Sequence, residues 1–107
     1  MTGKIDLSAD DRQLVCKILV THLPPAAKVW VFGSRATGRA RRYSDLDLAV
    51  DAGRPLTLDE TAILAEAFSD SDLPYRIDIV DWHAIDPGFR KVIAKTRIPL
   101  AATAAAG

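Results

Sequence analysis

Residues 31–50 read V-F-G-S-R-A-T-G-R-A-R-R-Y-S-D-L-D-L-A-V, and this stretch decides the fold and the chemistry that the chain suggests. An apolar run ends at Gly33-Ser34, and the aspartates Asp45 and Asp47 open the next apolar run. A third aspartate, Asp78, interrupts a later run, R-I-D-I-V-D-W. A glycine-serine step suits a phosphate group, and clustered carboxylates suit a divalent metal ion. Few reactions need both, and nucleotidyl transfer is the leading one.

The two aspartates of the D-x-D pair are expected on one face of a strand. Residues i and i+2 of a strand point the same way, with Cα atoms roughly 6–7 Å apart. Unpaired carboxylates at this spacing repel each other, and a divalent cation removes that repulsion. Magnesium prefers one or two carboxylates together with substrate phosphates, and two-metal sites clamp the attacking and leaving oxygens of a displacement. Asp45 and Asp47 are therefore predicted to be metal ligands.

Strand parity selects the third carboxylate. In R-I-D-I-V-D-W, Asp78 points with Arg76, whereas Asp81 points to the opposite side and is expected to be a solvated turn or N-cap residue. A carboxylate inside an apolar strand is costly unless something binds it. Asp78 is therefore predicted to be a metal ligand or the general base that deprotonates the attacking hydroxyl. The alternative is a structural ion pair with Arg76.

The glycine-serine step is predicted to bind the phosphates. A strand that ends in Gly33 lets a ligand approach the backbone, and Ser34 at a helix start offers N–H and hydroxyl groups. Arg35 and Arg39 are expected to neutralise the charge of a triphosphate. The alternatives are that Ser34 is only a helix N-cap and that the arginines lie on a solvated face.

The composition of the chain limits the classes of protein to which it can belong. The 107 residues are 49% hydrophobic and 26% charged with a formal net charge of zero, which predicts one ordinary globular domain and no direct binding of nucleic acid. The arginines between positions 35 and 42 form a local basic cluster that indicates a local anionic ligand. One cysteine, Cys16, excludes an internal disulfide. Because the sequence shows neither a signal-peptide pattern nor a long apolar segment, the chain is expected to be soluble and cytoplasmic and not to bind a membrane.

Capping and turn signals divide the chain into alternating elements. The helix starts are marked by Ser8, by Thr57 with Glu60, and by Asp86-Pro87. The predicted helices are residues 8–23, 34 to about 41, 57 to about 68 and 86 to about 95, and the predicted strands are 28–32, 45–50, 75–81 and 97–100. This order predicts an α/β fold, a small mixed sheet with helices packed on it. A single domain is expected over residues 1–107, with a core at about 8–100 and a frayed tail at 101–107.

The spacing of these motifs has a counterpart in a known family. Gly33-Ser34, ten residues, then Asp45-Leu46-Asp47 resembles the signature of the polymerase-beta-like nucleotidyltransferase superfamily. The short chain and the segments S-D-L-D-L and I-D-I-V-D look like its minimal nucleotidyltransferase branch, over about residues 10–100. The resemblance implies that Gly33-Ser34 holds the triphosphate of ATP, that Asp45 and Asp47 bind two Mg²⁺ ions, and that Asp78 is the third carboxylate. Because every motif position is filled, it implies an active enzyme.

The resemblance also implies a partner. Minimal members are often antitoxins paired with a small helical HEPN ribonuclease toxin, and they resemble enzymes that transfer AMP from ATP to a tyrosine of that toxin. Larger members hold the acceptor on an added helical domain, for which this chain has no residues left, so the acceptor is expected on another chain or as a very small molecule. Three alternatives stay open: an antitoxin that acts only by binding, a nucleotidyltransferase for an aminoglycoside-like alcohol, and a purely structural metal site.

Overall fold

Four helices and four strands alternate along residues 5–100, the part of the chain that the computed structural model describes. The helices are α1 (Ala9–His22), α2 (Ser34–Thr37), α3 (Leu58–Ser69) and α4 (Pro87–Thr96), and the strands are β1 (Lys28–Phe32), β2 (Leu46–Asp51), β3 (Ile77–Asp81) and β4 (Ile98–Leu100). This order confirms the predicted alternation. The predicted frayed tail, 101–107, lies outside the described residues. No described helix is long and apolar enough to cross a membrane.

All four helices begin where the sequence predicts, and three of these starts are stabilised by their own side chains. In each case a side-chain oxygen accepts a hydrogen bond from the backbone N–H three residues later, which pairs one of the donors left free at a helix start. Glu60 also accepts from the Thr57 N–H at 2.9 Å, which completes a capping box. The three cap bonds, of 2.7–3.0 Å, join Ser8 to Asp11, Thr57 to Glu60, and Asp86 to Phe89.

Helix α2 is shorter than predicted. It ends at Thr37 rather than near Arg41, because Gly38 takes a left-handed conformation with φ +77° and ψ +14°. The Gly38 N–H closes the last turn on the Ser34 carbonyl, a helix ending that glycine adopts at little steric cost. Residues 39–45 therefore run as an irregular loop from α2 to the start of β2.

The strands form one mixed sheet in the order β3-β2-β1-β4. Strand β1 pairs antiparallel with β2 and with β4, whereas β2 and β3 run parallel. Helix α3 makes the connection between the two parallel strands, as a crossover of this kind requires. The predicted α/β fold with a small mixed sheet is therefore confirmed.

The two faces of the sheet differ in character. One face packs against α1 and α3 in a continuous apolar core, which contains Val31, Leu48, Leu19 and Leu64 among its most buried members. Because strand residues alternate between faces, the other face of β1 and β2 carries the intervening residues, and these include Asp47. Helix α4 lies toward this second face, where the ring of Phe89 meets the ring of Phe32 edge-on at 6.1 Å between centroids. The candidate site is on this second face.

Candidate functional site

The predicted carboxylates come together where β2 and β3 run side by side. Asp47 on β2 is the register partner of Asp78 on β3, so both side chains lie on the same face of the sheet. Asp45 precedes Asp47 by two residues and shares its direction. The guanidinium of Arg76 links the outer two carboxylates, with Nη2 at 3.3 Å from Asp45 Oδ2 and Nε at 3.3 Å from Asp78 Oδ1. All three acidic groups thus face one small region.

The site carries more negative charge than its own cation balances. Asp47 is half-buried, and this burial raises the pKa of its carboxyl; the charges of Asp78 and then Asp45 raise it further, while Arg76 lowers it. One guanidinium therefore faces three carboxylates. Carboxylate oxygens are the type of ligand that a divalent cation such as Mg²⁺ prefers. Over residues 5–100, however, no set of three His, Cys, Asp or Glu side chains is already arranged closely enough to hold a metal ion.

Gly33 closes the site from the side of β1. The preceding residue, Phe32, is the register partner of Asp47, so the chain turns away from β1 directly beside the Asp47 carboxylate. Gly33 has φ +73° and ψ −153°, a region that is essentially restricted to glycine. A Cβ built on it would overlap Asp47 Oδ2 and lie 3.2 Å from Asp47 Cγ. A glycine is needed here to leave room for the Asp47 carboxylate, a reason that the sequence alone does not show.

Ser34 and Arg39 lie at the two ends of the short segment that follows. Ser34 is the first residue of α2 and half-buried, and the N-cap is Gly33, so the alternative of Ser34 as a plain N-cap is wrong. Arg39 is exposed just beyond the helix, and its backbone N–H donates to the Ser34 carbonyl at 3.1 Å. Both stay predicted nucleotide-binding residues.

Arg35 is placed differently from the prediction. Its side chain is only 4% exposed, and its guanidinium lies 4.0 Å above the centre of the Tyr75 ring. It donates from Nε to the Ser44 carbonyl at 3.0 Å, from Nη1 to the Asp6 carbonyl at 2.8 Å and from Nη2 to the Arg42 carbonyl at 3.2 Å. With each guanidinium nitrogen already bonded to backbone, Arg35 ties the loop before Asp45 to the N-terminal segment rather than facing a triphosphate.

Replacing Arg35 by alanine is expected to lower the free energy of unfolding by roughly 2–4 kcal/mol, because it leaves backbone carbonyls in a partly buried region without donors. Arg35→Lys should recover only part of this loss, since one ammonium group does not reproduce the planar fork. The measurement is urea unfolding followed by circular dichroism. Arg39→Ala, an exposed neighbour, is the control and should change stability by about 0.5 kcal/mol or less. Equal stability of the Arg35 and Arg39 variants would contradict this role.

Two features of the site were not among the predicted site residues. The sequence suggests Arg76 only as an ion-pair partner of Asp78, and its contact with Asp45 joins residues 31 positions apart. Phe89 of α4 reaches Phe32, which neighbours Asp47 in the sheet. Arg76 lies two residues before Asp78, so strand alternation already indicates that both side chains point to the same face. No local sequence pattern indicates where α4 packs.

Comparison with known proteins agrees with this geometry. The family model for polymerase beta nucleotidyltransferases matches residues 15–104. The chain is 41% identical over 96 residues to the probable protein adenylyltransferase MntA of Haemophilus influenzae (strain ATCC 51907 / DSM 11121 / KW20 / Rd), covering 90% of this chain and 83% of that protein.

Solved structures show the same fold. A crystal structure of a toxin-antitoxin with AMP-PNP superposes with a TM-score of 0.73 at 26% identity, over 84% of this chain and 72% of that one. A minimal nucleotidyltransferase structure superposes with a TM-score of 0.64 at 37% identity, over 83% and 88% of the two chains. With its carboxylates on adjacent parallel strands beside a glycine turn, this chain belongs to the polymerase beta nucleotidyltransferase family.

Proposed function

We propose that this chain transfers AMP from ATP to a hydroxyl, most simply that of a tyrosine, on a partner HEPN ribonuclease toxin, and so acts as its antitoxin. The observation that carries the proposal is the pairing of Asp47 with Asp78 across parallel strands, with Gly33 packed against the Asp47 carboxylate. The names of the relatives support it, since one is a probable protein adenylyltransferase and one is a toxin-antitoxin complex with a nucleotide analogue.

Each site residue has a proposed task. Asp45, Asp47 and Asp78 would hold Mg²⁺, two ions in all, which would neutralise the phosphate charge and orient the reacting oxygens. Gly33, with no side chain, leaves room for the Asp47 carboxylate, and its backbone together with the Ser34 hydroxyl would bind the triphosphate. Arg39, exposed beyond α2, contributes a positive charge.

The reaction is an in-line displacement at the α-phosphorus of ATP. The acceptor hydroxyl oxygen bonds to that phosphorus, the bond to the α,β-bridging oxygen breaks, and pyrophosphate leaves. The hydroxyl proton passes to a carboxylate, for which we propose Asp78, because its pairing with Asp47 places its side chain on the same face of the sheet as the metal-binding aspartates. We place the reaction in the cytoplasm, where ATP and magnesium are both abundant.

The test is transfer of label from ATP to a purified HEPN toxin in the presence of Mg²⁺. Label from α-³²P-ATP should appear on the toxin, whereas label from γ-³²P-ATP should not, because the terminal phosphates leave as pyrophosphate. Intact-mass spectrometry should show the added mass of AMP, and peptide mapping should place it on a tyrosine. Loss of the ribonuclease activity should follow the extent of labelling.

The same assay separates the alternatives. An antitoxin that acts only by binding would silence the toxin without label, and equally well without ATP. An enzyme for small alcohols would label an aminoglycoside in the absence of any protein acceptor. Either outcome would overturn the proposal.

A further inference from the structure

Arg76 lies within the carboxylate site but has no task in the reaction described above. Its backbone is anchored just before β3, because the Leu46 N–H donates to the Arg76 carbonyl at 2.9 Å. Its side chain is 74% exposed and contacts Asp45 through Nη2 and Asp78 through Nε. A single guanidinium therefore joins a carboxylate of β3 to one in the loop directly before β2.

These two contacts are weak enough to be exchanged. Both measure 3.3 Å, which is longer than the about 2.7–2.9 Å that is common for charge-assisted hydrogen bonds. The side chains of Asp45 and Asp78 are 44% and 39% exposed, and ion pairs with such access to water stabilise a fold only slightly. A divalent cation carries twice the charge of a guanidinium and is attracted to the same oxygens.

We propose that Arg76 is an internal counter-cation, which holds Asp45 and Asp78 together in the metal-free protein and competes with a divalent cation for their oxygens. The inference rests on the proposed function, because it takes the three carboxylates as the metal site. Metal binding releases the guanidinium from these oxygens. Arg76 is thus a positioning residue that keeps the three carboxylates from repelling one another until metal arrives.

If Arg76 competes with the metal, its removal must change the affinity for divalent cations in one direction. Removing Arg76 frees two carboxylates and leaves the site more negative, so divalent cations should bind the variant more tightly than the wild-type protein. A residue that helped to build the metal site would have the opposite effect, because its loss would weaken binding. The sign of the change therefore separates a competitor from a supporting residue.

The first experiment is a titration of the metal-free protein with Mn²⁺ alone, in which electron paramagnetic resonance measures the free ion. Arg76→Gln should lower the dissociation constant for Mn²⁺ by about threefold, the scale set by breaking exposed ion pairs. Arg76→Lys keeps the charge but not the two-pronged geometry and should lie between. Arg41→Gln removes the same charge from an exposed position in the neighbouring loop, so at physiological salt it should change the constant much less.

The second experiment is thermal unfolding with and without saturating Mn²⁺. Without metal, Arg76→Gln should unfold at a lower temperature than the wild type, because its three carboxylates lack a counter-charge. With Mn²⁺ the difference should vanish or reverse, since the ion then neutralises the same oxygens. A purely structural contact would keep the difference unchanged.

The outcomes distinguish this inference from the function on which it rests. If the wild type binds Mn²⁺ no better than Asp47→Asn does, the metal site itself is wrong and both proposals fall. If binding depends on Asp47 but Arg76→Gln binds equally or more weakly, only the role of Arg76 is overturned.

Discussion

Asp47→Asn is expected to reduce AMP transfer by about a thousandfold or more while the protein stays folded. Metal-based stabilisation of the transferred phosphate is worth several kcal/mol, and each 1.36 kcal/mol corresponds to about tenfold in rate. Asparagine keeps the shape of the side chain but removes the charge that would bind Mg²⁺. The measurement is single-turnover transfer from α-labelled ATP to the toxin, with circular dichroism to verify the fold.

The same variant should unfold at a higher temperature than the wild type in buffer with a chelator at pH 7. Burial and the charges of Asp78 and Asp45 raise the pKa of Asp47 in the folded state. A raised carboxyl pKa means that the folded protein retains the proton more readily than the unfolded chain does. Stability therefore falls as pH rises from the pKa of this carboxyl in the unfolded chain to its higher pKa in the folded protein. At neutral pH the ionised carboxylate is a cost to folding, and asparagine removes it.

Asp81→Asn is the matched control, since it lies three residues after Asp78 on the same strand. Its carboxylate accepts from the Leu56 N–H at 2.8 Å and from the His83 N–H at 3.0 Å, so the expected solvated turn or N-cap residue instead ties loops to the sheet. The variant should lose roughly 1–3 kcal/mol of stability and keep its transfer rate. The two variants thus have opposite profiles, and a rate loss in Asp81→Asn equal to that of Asp47→Asn would refute the assigned site.

Gly33→Ala is expected to have the second largest effect, on both stability and activity. The backbone conformation at Gly33 costs another residue about 1–3 kcal/mol, and the new methyl group would overlap the Asp47 carboxylate. Because a displacement of about 1 Å in a catalytic group can lower the rate by about a hundredfold, transfer should fall by at least that factor. Thermal unfolding and the single-turnover assay measure the two effects.

Gly38→Ala separates backbone strain from contact with the site. Gly38 also has a positive φ, +77°, but a Cβ there would meet no atom within 4 Å. The variant should lose about 1–2 kcal/mol of stability for its left-handed backbone and retain its activity. If Gly33→Ala and Gly38→Ala lost activity to the same extent, crowding of Asp47 would not be the cause.

The elements that were predicted well depend on interactions between near neighbours. The capping side chains act over three residues, and the alternation of side chains along β2 and β3 follows from strand geometry alone. Helix α2 is shorter than predicted because Gly38 ends it in a left-handed conformation, and a glycine after a short helical run is a common helix stop.

The residues that were misplaced or overlooked depend on distant partners. Arg35 is predicted to neutralise the charge of a triphosphate, yet its guanidinium donates to the Asp6 carbonyl, 29 residues away. The charge of an arginine is plain in the sequence, but its direction depends on which carbonyls and rings surround it after folding. The same holds for Arg76, whose contact with Asp45 requires β2 and β3 to lie side by side.

Residue types and their spacing, by themselves, determined which groups could react: three aspartates of matching strand parity and a glycine-serine turn before them. The tertiary structure decided which of these groups meet, by setting β3 parallel to β2 so that Asp78 lies opposite Asp47, and by turning the chain at Gly33 against that carboxylate. The reason is that periodicity and capping act through neighbouring residues, whereas register and side-chain contact are settled only when separate elements pack.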